Sequence, residues 1–179
     1  MAAAALSHSE PISDHVGSQD FRNAMAHLGS AVHVITTDGP AGPGGFTASA
    51  VTSVTDTPPT LLVCVNRNVS SLGAMLENGV LCVNTLGTRH RDVSRIFSAK
   101  VPMAERFATA QWRKVATGAP VLADAVVAFD CRISRSVDVG THMVLFCDVV
   151  ALPESSTDEA LIYFRRAYYR LGSHSHIND

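Results

Sequence analysis

The sequence predicts a mainly β domain, a closed or nearly closed antiparallel barrel with a few short peripheral helices. Three observations carry that expectation. Runs of β-branched and apolar residues of strand length recur along the chain. The segments of helical spacing between them are short. Finally, the alternation of strand and long helix that builds a doubly wound sheet is missing, and no Gly-x-Gly-x-x-Gly stands between a strand and a helix.

Taken in order, residues 1–19 are rich in Ala, Ser, His and Gly without periodicity and read as a mobile arm. Asp20 can cap a short helix in which Phe21, Ala24, Met25 and Leu28 recur at helical spacing, ending near Gly29. A strand follows over 31–37. The segment 38–45, with its glycines and two prolines, is a loop. A second strand over 45–55 makes an antiparallel hairpin with the first, and Pro58-Pro59 ends it. Residues 60–66 form a buried strand by length and β-branched content. Residues 70–77 suit a short helix capped by Ser70 or Ser71 and stopped by Asn78-Gly79. A strand over 80–86 leads to an amphipathic helix over 88–99 with Val93, Ile96 and Phe97 inward. One more helical turn is expected at 102–107, then a loop around Gly118-Ala119-Pro120. Two long strands over 125–137 and 142–152 are joined by a turn at Gly140, and 161–164 makes the final strand. The domain thus spans 20–171, with a flexible tail over 172–179.

At 179 residues and 19.0 kDa, one domain with a substantial core is the natural unit. Charged residues are only 17% of the chain, so some surface should be covered by a partner subunit. A net charge of −2 gives no field to attract a polyanion, which argues against nucleic-acid binding. No apolar run is long enough to cross a bilayer, and the first five residues lack the character of a secretory signal, so a cytoplasmic address is expected. Cys64, Cys82, Cys131 and Cys147 form no Cys-x-x-Cys pair and read as small core residues. No metal site is expected.

The most informative segment is Gly45 to Thr55, where strand-forming residues alternate with side chains too small to fill a core. A bulky planar ligand against exposed backbone would fill that space, hydrogen-bonded by Thr47, Ser49 and Ser53 and by main-chain N–H groups. Asn66-Arg67-Asn68-Val69-Ser70-Ser71, at a strand exit before a helix, has the composition of a phosphate receptor. A polar loop with an ordinary N-cap is the alternative for that segment alone. Asn84 interrupts an apolar strand and needs partners, either a neighbouring loop's backbone or a ligand's polyol chain. His142, at the mouth of a strand, is either structural or aimed at a cofactor. His174-Ser175-His176 fits a solvated tail better than a metal site. The stretch from Phe164 to Arg170 fits a rim gripping a nucleotide's phosphates, or a dimer contact. No Gly-x-Ser-x-Gly elbow supports serine hydrolysis.

In order and spacing, Phe21-Arg22-Asn23-Ala24-Met25, Val34-Ile35-Thr36-Thr37, Thr47-Ala48-Ser49-Ala50-Val51-x-Ser53-Val54, Pro58-Pro59, Cys64-Val65-Asn66, Val83-Asn84-x-Leu86, Glu105-Arg106-Phe107, Gly140-Thr141-His142 and Leu161-Ile162-Tyr163-Phe164 match a known pattern. Over nearly all of 20–171 the chain resembles the short-chain flavin reductases of two-component flavin-dependent aromatic monooxygenases, most closely those of 4-hydroxyphenylacetate and chlorophenol hydroxylases. The resemblance implies a split antiparallel β-barrel of Greek-key, FMN-binding type. It also implies a homodimer, FMN or FAD as flavin, and NADH, with NADPH as a further option, as hydride donor. It places Thr47, Ala48, Ser49, Ala50 and Ser53 along the flavin ring, and Asn66, Arg67, Ser70, Ser71 and Asn84 at the ribityl chain and phosphate. Phe97 and Tyr168 complete the expected flavin contacts, and His142 positions the nicotinamide.

Two departures are notable: Val69 replaces a frequent serine, and His90 stands where glutamine is common. The implied activity is reduction of flavin for release to a separate oxygenase, with the protein supplying stacking and alignment. A flavin-binding barrel without turnover, or an FMN-dependent oxidase of the same fold, are the alternatives.

Overall fold

The computed structural model describes residues 15–154 and 159–172. Most of the expected arm, and all of the expected tail beyond Gly172, lie outside them. The first helix, α1 (Ser18–Met25), begins inside the expected arm. Gly17 rather than Asp20 is its N-cap, and Asp20 sits in the first turn, where a negative charge suits the helix dipole.

The strands are β1 (Ser30–Ala31), β2 (His33–Thr37), β3 (Gly44–Ala48), β4 (Val51–Asp56) and β5 (Pro59–Asn66). After α2 (Leu72–Asn78) come β6 (Val80–Thr85), a 3-10 turn at Thr88–His90, α3 (Arg91–Ser98) and α4 (Met103–Phe107). The chain continues through β7 (Trp112–Lys114), β8 (Pro120–Leu122), β9 (Val127–Val139), β10 (His142–Ala151), β11 (Ala160–Phe164) and β12 (Ala167–Leu171).

Seven strands form one antiparallel sheet in the order β3-β2-β6-β9-β10-β5-β4. The single strand expected over 45–55 is therefore two strands at opposite edges. Only Ser49 and Ala50 separate them in the chain. A two-residue link can join opposite edges only if the sheet curls until those edges approach. The Ala50 carbonyl accepts from Cys64 N at 3.0 Å and so starts the β4–β5 pairing as soon as β3 ends. β3 and β4 are not paired with each other, so the sheet curls like a barrel without being closed by hydrogen bonds.

Alternation along the strands gives two cores on opposite faces. Ile35, Phe46, Val63, Val65, Leu81, Val83, Cys131 and Leu145 come from six of the seven strands and fill the inside of the curl. Val34, Cys82, Val93, Phe97, Val121 and Leu122 pack the outer face against α3 and the β7–β8 hairpin. That hairpin stands where a loop was expected around Gly118. β12 was also unexpected, because the turn before it has none of the Asn or Gly that marks a two-residue hairpin loop. Arg165 and Arg166 take the positive φ values there, 47° and 63°. No disulfide links the four cysteines, and all but the half-buried Cys64 are buried.

Candidate functional site

The site grows from the free edge of β3. Gly45 faces Thr36 across the ladder, and its N–H donates away from β2 to Ser71 Oγ at 2.9 Å. Its carbonyl also points away, accepting from Arg106 Nη1 at 2.9 Å. Pairs in an antiparallel ladder alternate between bonded and non-bonded, so Thr47, two residues on, likewise turns its N–H and C=O toward the free edge. A strand edge that offers backbone donors beside small side chains is what a flat, polar-rimmed ring requires.

Beside that edge, Val32, Thr47, Ala48, Ser49, Ser98, Tyr163 and Tyr168 line an open groove of about 260 Å³. Two hydrogen bonds fix its walls. Thr47 Oγ1 donates to the Ser94 carbonyl at 2.7 Å, and Ser94 Oγ meets Tyr168 Oη at 2.9 Å. Thr47, Ala48, Ser49 and Tyr168, read from sequence as cofactor contacts, are thus brought together. The groove is smaller than the usual small-molecule site and is open on one side, so it fits a flat ring as one wall of a larger site.

Along the other side of the β3 edge runs the segment after β5. It starts near Ala50, which bonds Cys64, and returns to Gly45 through Ser71. Several of its polar groups are already engaged. Asn66 Oδ1 accepts from Asn68 N at 2.9 Å, Arg67 Nη2 lies 2.6 Å from Asp138, and Ser71 also donates to Gly45 O. Asn68 and Ser70 are exposed. His142 pairs across from Asn66, with Nδ1 2.9 Å from Thr141 Oγ1, which puts it at the same end of the sheet. Ser53 is exposed on β4 opposite Leu61, beyond the residues that line the groove.

Two expected contacts are corrected by burial. Asn84 is 0% exposed, and its amide is used inside the protein: Nδ2 donates to Val34 O and Thr36 Oγ1, and Oδ1 accepts from Leu122 N at 2.7 Å. The neighbouring strand and loop satisfy it, leaving no polar atom for a polyol chain. Phe97 is 1% exposed and packs edge-on with Phe107, 5.4 Å between centroids. Its ring supports β3 from behind, since a Cβ at Gly45 would lie 2.7 Å from it.

His90 is also a structural residue here. Its Nδ1 accepts from Gly87 N at 3.0 Å, which places the proton on Nε2, facing Asp124 at 3.0 Å. Burial lowers its pKa against the opposing pull of Asp124.

Arg106 carried no role in the sequence reading. It is nearly buried and donates to the carbonyls of Gly45, Phe97, Ala99 and Val101, tying α3 and α4 to the edge of β3. Its charge is met by carbonyl dipoles, and it stiffens the strand that presents Thr47.

Known proteins share this fold and much of the sequence. Residues 25–172 match the model of the flavin reductase like domain. The FMN reductase (NADH) RutF of Bradyrhizobium diazoefficiens is 59% identical over 157 residues, 88% of this chain and 87% of that protein. A Haemophilus somnus protein described as a flavin reductase shares 46% identity with a TM-score of 0.84, covering 87% of this chain and 100% of that one. BorF, the flavin reductase component of a bacterial two-component tryptophan halogenase, is 27% identical with a TM-score of 0.81, over 88% and 99% of the two chains. With its fold and most of its length shared in this way, the chain belongs to the flavin reductase like domain family and is a flavin reductase family enzyme.

Proposed function

We propose that this chain is a cytoplasmic, homodimeric NADH-dependent reductase of FMN that passes reduced flavin to a separate oxygenase component. The observation that carries the reading is the groove at the β3 edge, where outward backbone groups, small side chains and Tyr168 offer a wall for a flat ring. The names of the relatives support FMN as the flavin and NADH as the donor, with FAD and NADPH as the alternatives. The aromatic substrate that the resemblance implied for the partner finds no support in the RutF names of the relatives. Solved neighbours are components of a nitrilotriacetate monooxygenase and of a two-component tryptophan halogenase, which supports a separate partner component more than it supports any one substrate.

Thr47, Ala48, Ser49 and Tyr168 would hold the ring. Ala50 and Ser53 extend that strand, and Asn66, Arg67, Ser70 and Ser71 border the phosphate-bearing side. Flavin supplies the redox chemistry when bound, and the chain's residues bind, orient and exclude water. The Thr47 N–H aims a fixed dipole into the groove, where it favours negative charge on the ligand without reorganising. Stacking against the β3 backbone fixes one face and leaves the open side of the groove for the nicotinamide. His142, beside Asn66, is in a position to contact that second ligand.

Anaerobic stopped-flow mixing of protein, FMN and NADH should bleach the flavin absorbance. Absence of bleaching overturns the reading. His142→Ala should raise the KM for NADH severalfold while leaving that for FMN nearly unchanged, and an unmoved NADH KM removes the histidine's role.

A further inference from the structure

The proposed reaction joins two ligands that each carry phosphate, and the sequence offers two segments for them: 66–71 and the stretch from Phe164 to Arg170, the latter read equally as a dimer contact. Next to the ring groove and sharing Tyr168 with it lies a second groove of about 510 Å³, lined by Thr88, Arg91, Leu161, Arg166, Ala167, Tyr168, Tyr169 and Arg170. Three arginines line it in a chain whose net charge is −2. Glu159 is the facing carboxylate. It lies 3.6 Å from Arg170 and also accepts from Thr88 Oγ1, so it offsets part of the charge. Arg91 and Arg166 form no ion pair among the described residues, and Arg166 donates to the neutral Asn23 side chain.

Two further features tie this groove to the first. Along α3, Arg91, Ser94 and Ser98 recur on one face, with Ser94 bonded to Tyr168 between them. Seven residues of helix rise roughly 10 Å, so one rail runs from the arginine groove to the ring groove over the length of a short polyol chain. In addition, Arg165 and Arg166 occupy the two left-handed positions of the β11–β12 turn, where glycine or asparagine costs less. Backbone strain of this kind persists where the side chain has a use.

We infer that the groove formed by Arg91, Arg166, Arg170 and Tyr168 binds the phosphate group of a nucleotide whose ring lies at the β3 edge. That phosphate belongs either to FMN or to the pyrophosphate of the pyridine nucleotide. The inference rests on the proposed pairing of flavin with NADH, and it is tested by binding, without turnover.

Wild type, Arg91→Gln and Arg166→Gly are titrated with FMN and with riboflavin by flavin fluorescence, and with NAD⁺ by calorimetry. Loss of one charge-assisted hydrogen bond weakens the ligand by roughly tenfold. If the phosphate is the flavin's, FMN weakens in both variants and riboflavin, which lacks phosphate, does not. If it is the pyridine nucleotide's, NAD⁺ weakens and both flavins keep their affinity. Arg166→Gly relieves the positive φ, so its Tm should rise even as binding falls, a combination that general loss of structure does not give. Equal weakening of riboflavin and FMN, or changes below twofold for FMN and NAD⁺ alike, overturns the inference. Wild-type binding without flavin bleaching would instead fault the proposed reaction alone.

Discussion

His33 is a buried imidazole on β2, 8% exposed, with Nδ1 3.0 Å from Thr85 Oγ1. Desolvation lowers its pKa from 6.5 to about 4, because the interior disfavours the charged ring. The unfolded chain therefore takes up a proton as pH falls through 6.5, whereas the folded chain does so only near 4. Between those values the unfolded state binds more protons, so stability is present above 6.5 and is lost progressively toward 4. The expected loss from this residue between pH 7 and pH 5 is about 2 kcal/mol. Urea midpoints at the two pH values measure it, and His33→Gln should flatten the difference. Equal pH dependence in the two proteins would show that other groups titrate. Asn84 belongs to the same class of buried polar group, with all its partners internal. From sequence the two are indistinguishable from ligand contacts, since the donor that satisfies Asn84 Oδ1 is Leu122 N on the distant β8. Arg106 was overlooked for the converse reason: a lone arginine in a five-residue helix looks solvated until its carbonyl partners are placed around it.

Among the elements, β3 owes its shape to glycine. A Cβ on Gly45 would come within 2.7 Å of the Phe97 ring and 3.0 Å of the Ile35 carbonyl, and neither has room to withdraw. Gly45→Ala should cost about 1–3 kcal/mol by overpacking and should also weaken flavin binding through the displaced edge. Gly73, in α2, has open space around its missing side chain, so Gly73→Ala should stabilise by about 0.5–1 kcal/mol through helix propensity. Thermal melts of both variants check the pair, and a destabilised Gly73→Ala or a neutral Gly45→Ala would contradict the packing described. The long strands were legible because β-branched runs survive in any context. Their break at Ser49-Ala50 was not, because neither residue signals a change of partner strand. Small side chains over 45–55 read as a ligand-facing strand, and Thr47, Ala48, Ser49 and Tyr168 meet in one groove.

For the whole molecule, the open groove and the exposed apolar surface point to the same missing partner. Phe21, Met25 and Leu28 are 56%, 46% and 57% exposed, and no residue of α1 is buried. This helix is held to the β11–β12 turn by Arg165 N to Ala26 O at 2.7 Å and by Arg166 to Asn23. Tyr163, Tyr169 and Leu171 of that hairpin are also exposed, and Tyr163 lines the ring groove. An amphipathic helix whose apolar face no described residue covers gains little from its own propensity, so its stability must come from packing. A second copy of the chain would bury this flank and border the groove beside the side left open for the nicotinamide, in line with a charged content of only 17%. Sedimentation equilibrium should therefore give twice the 19.0 kDa chain mass at micromolar concentration. Phe21→Asp combined with Leu28→Asp places charges on the exposed flank, outside the core, so the fold should survive while the dimer does not. The double variant should sediment as a monomer and lose most flavin reduction, because a second copy would no longer border the groove. A wild type that is monomeric throughout, or a monomeric variant with full activity, would mean that one chain completes the site and that α1 meets a different partner.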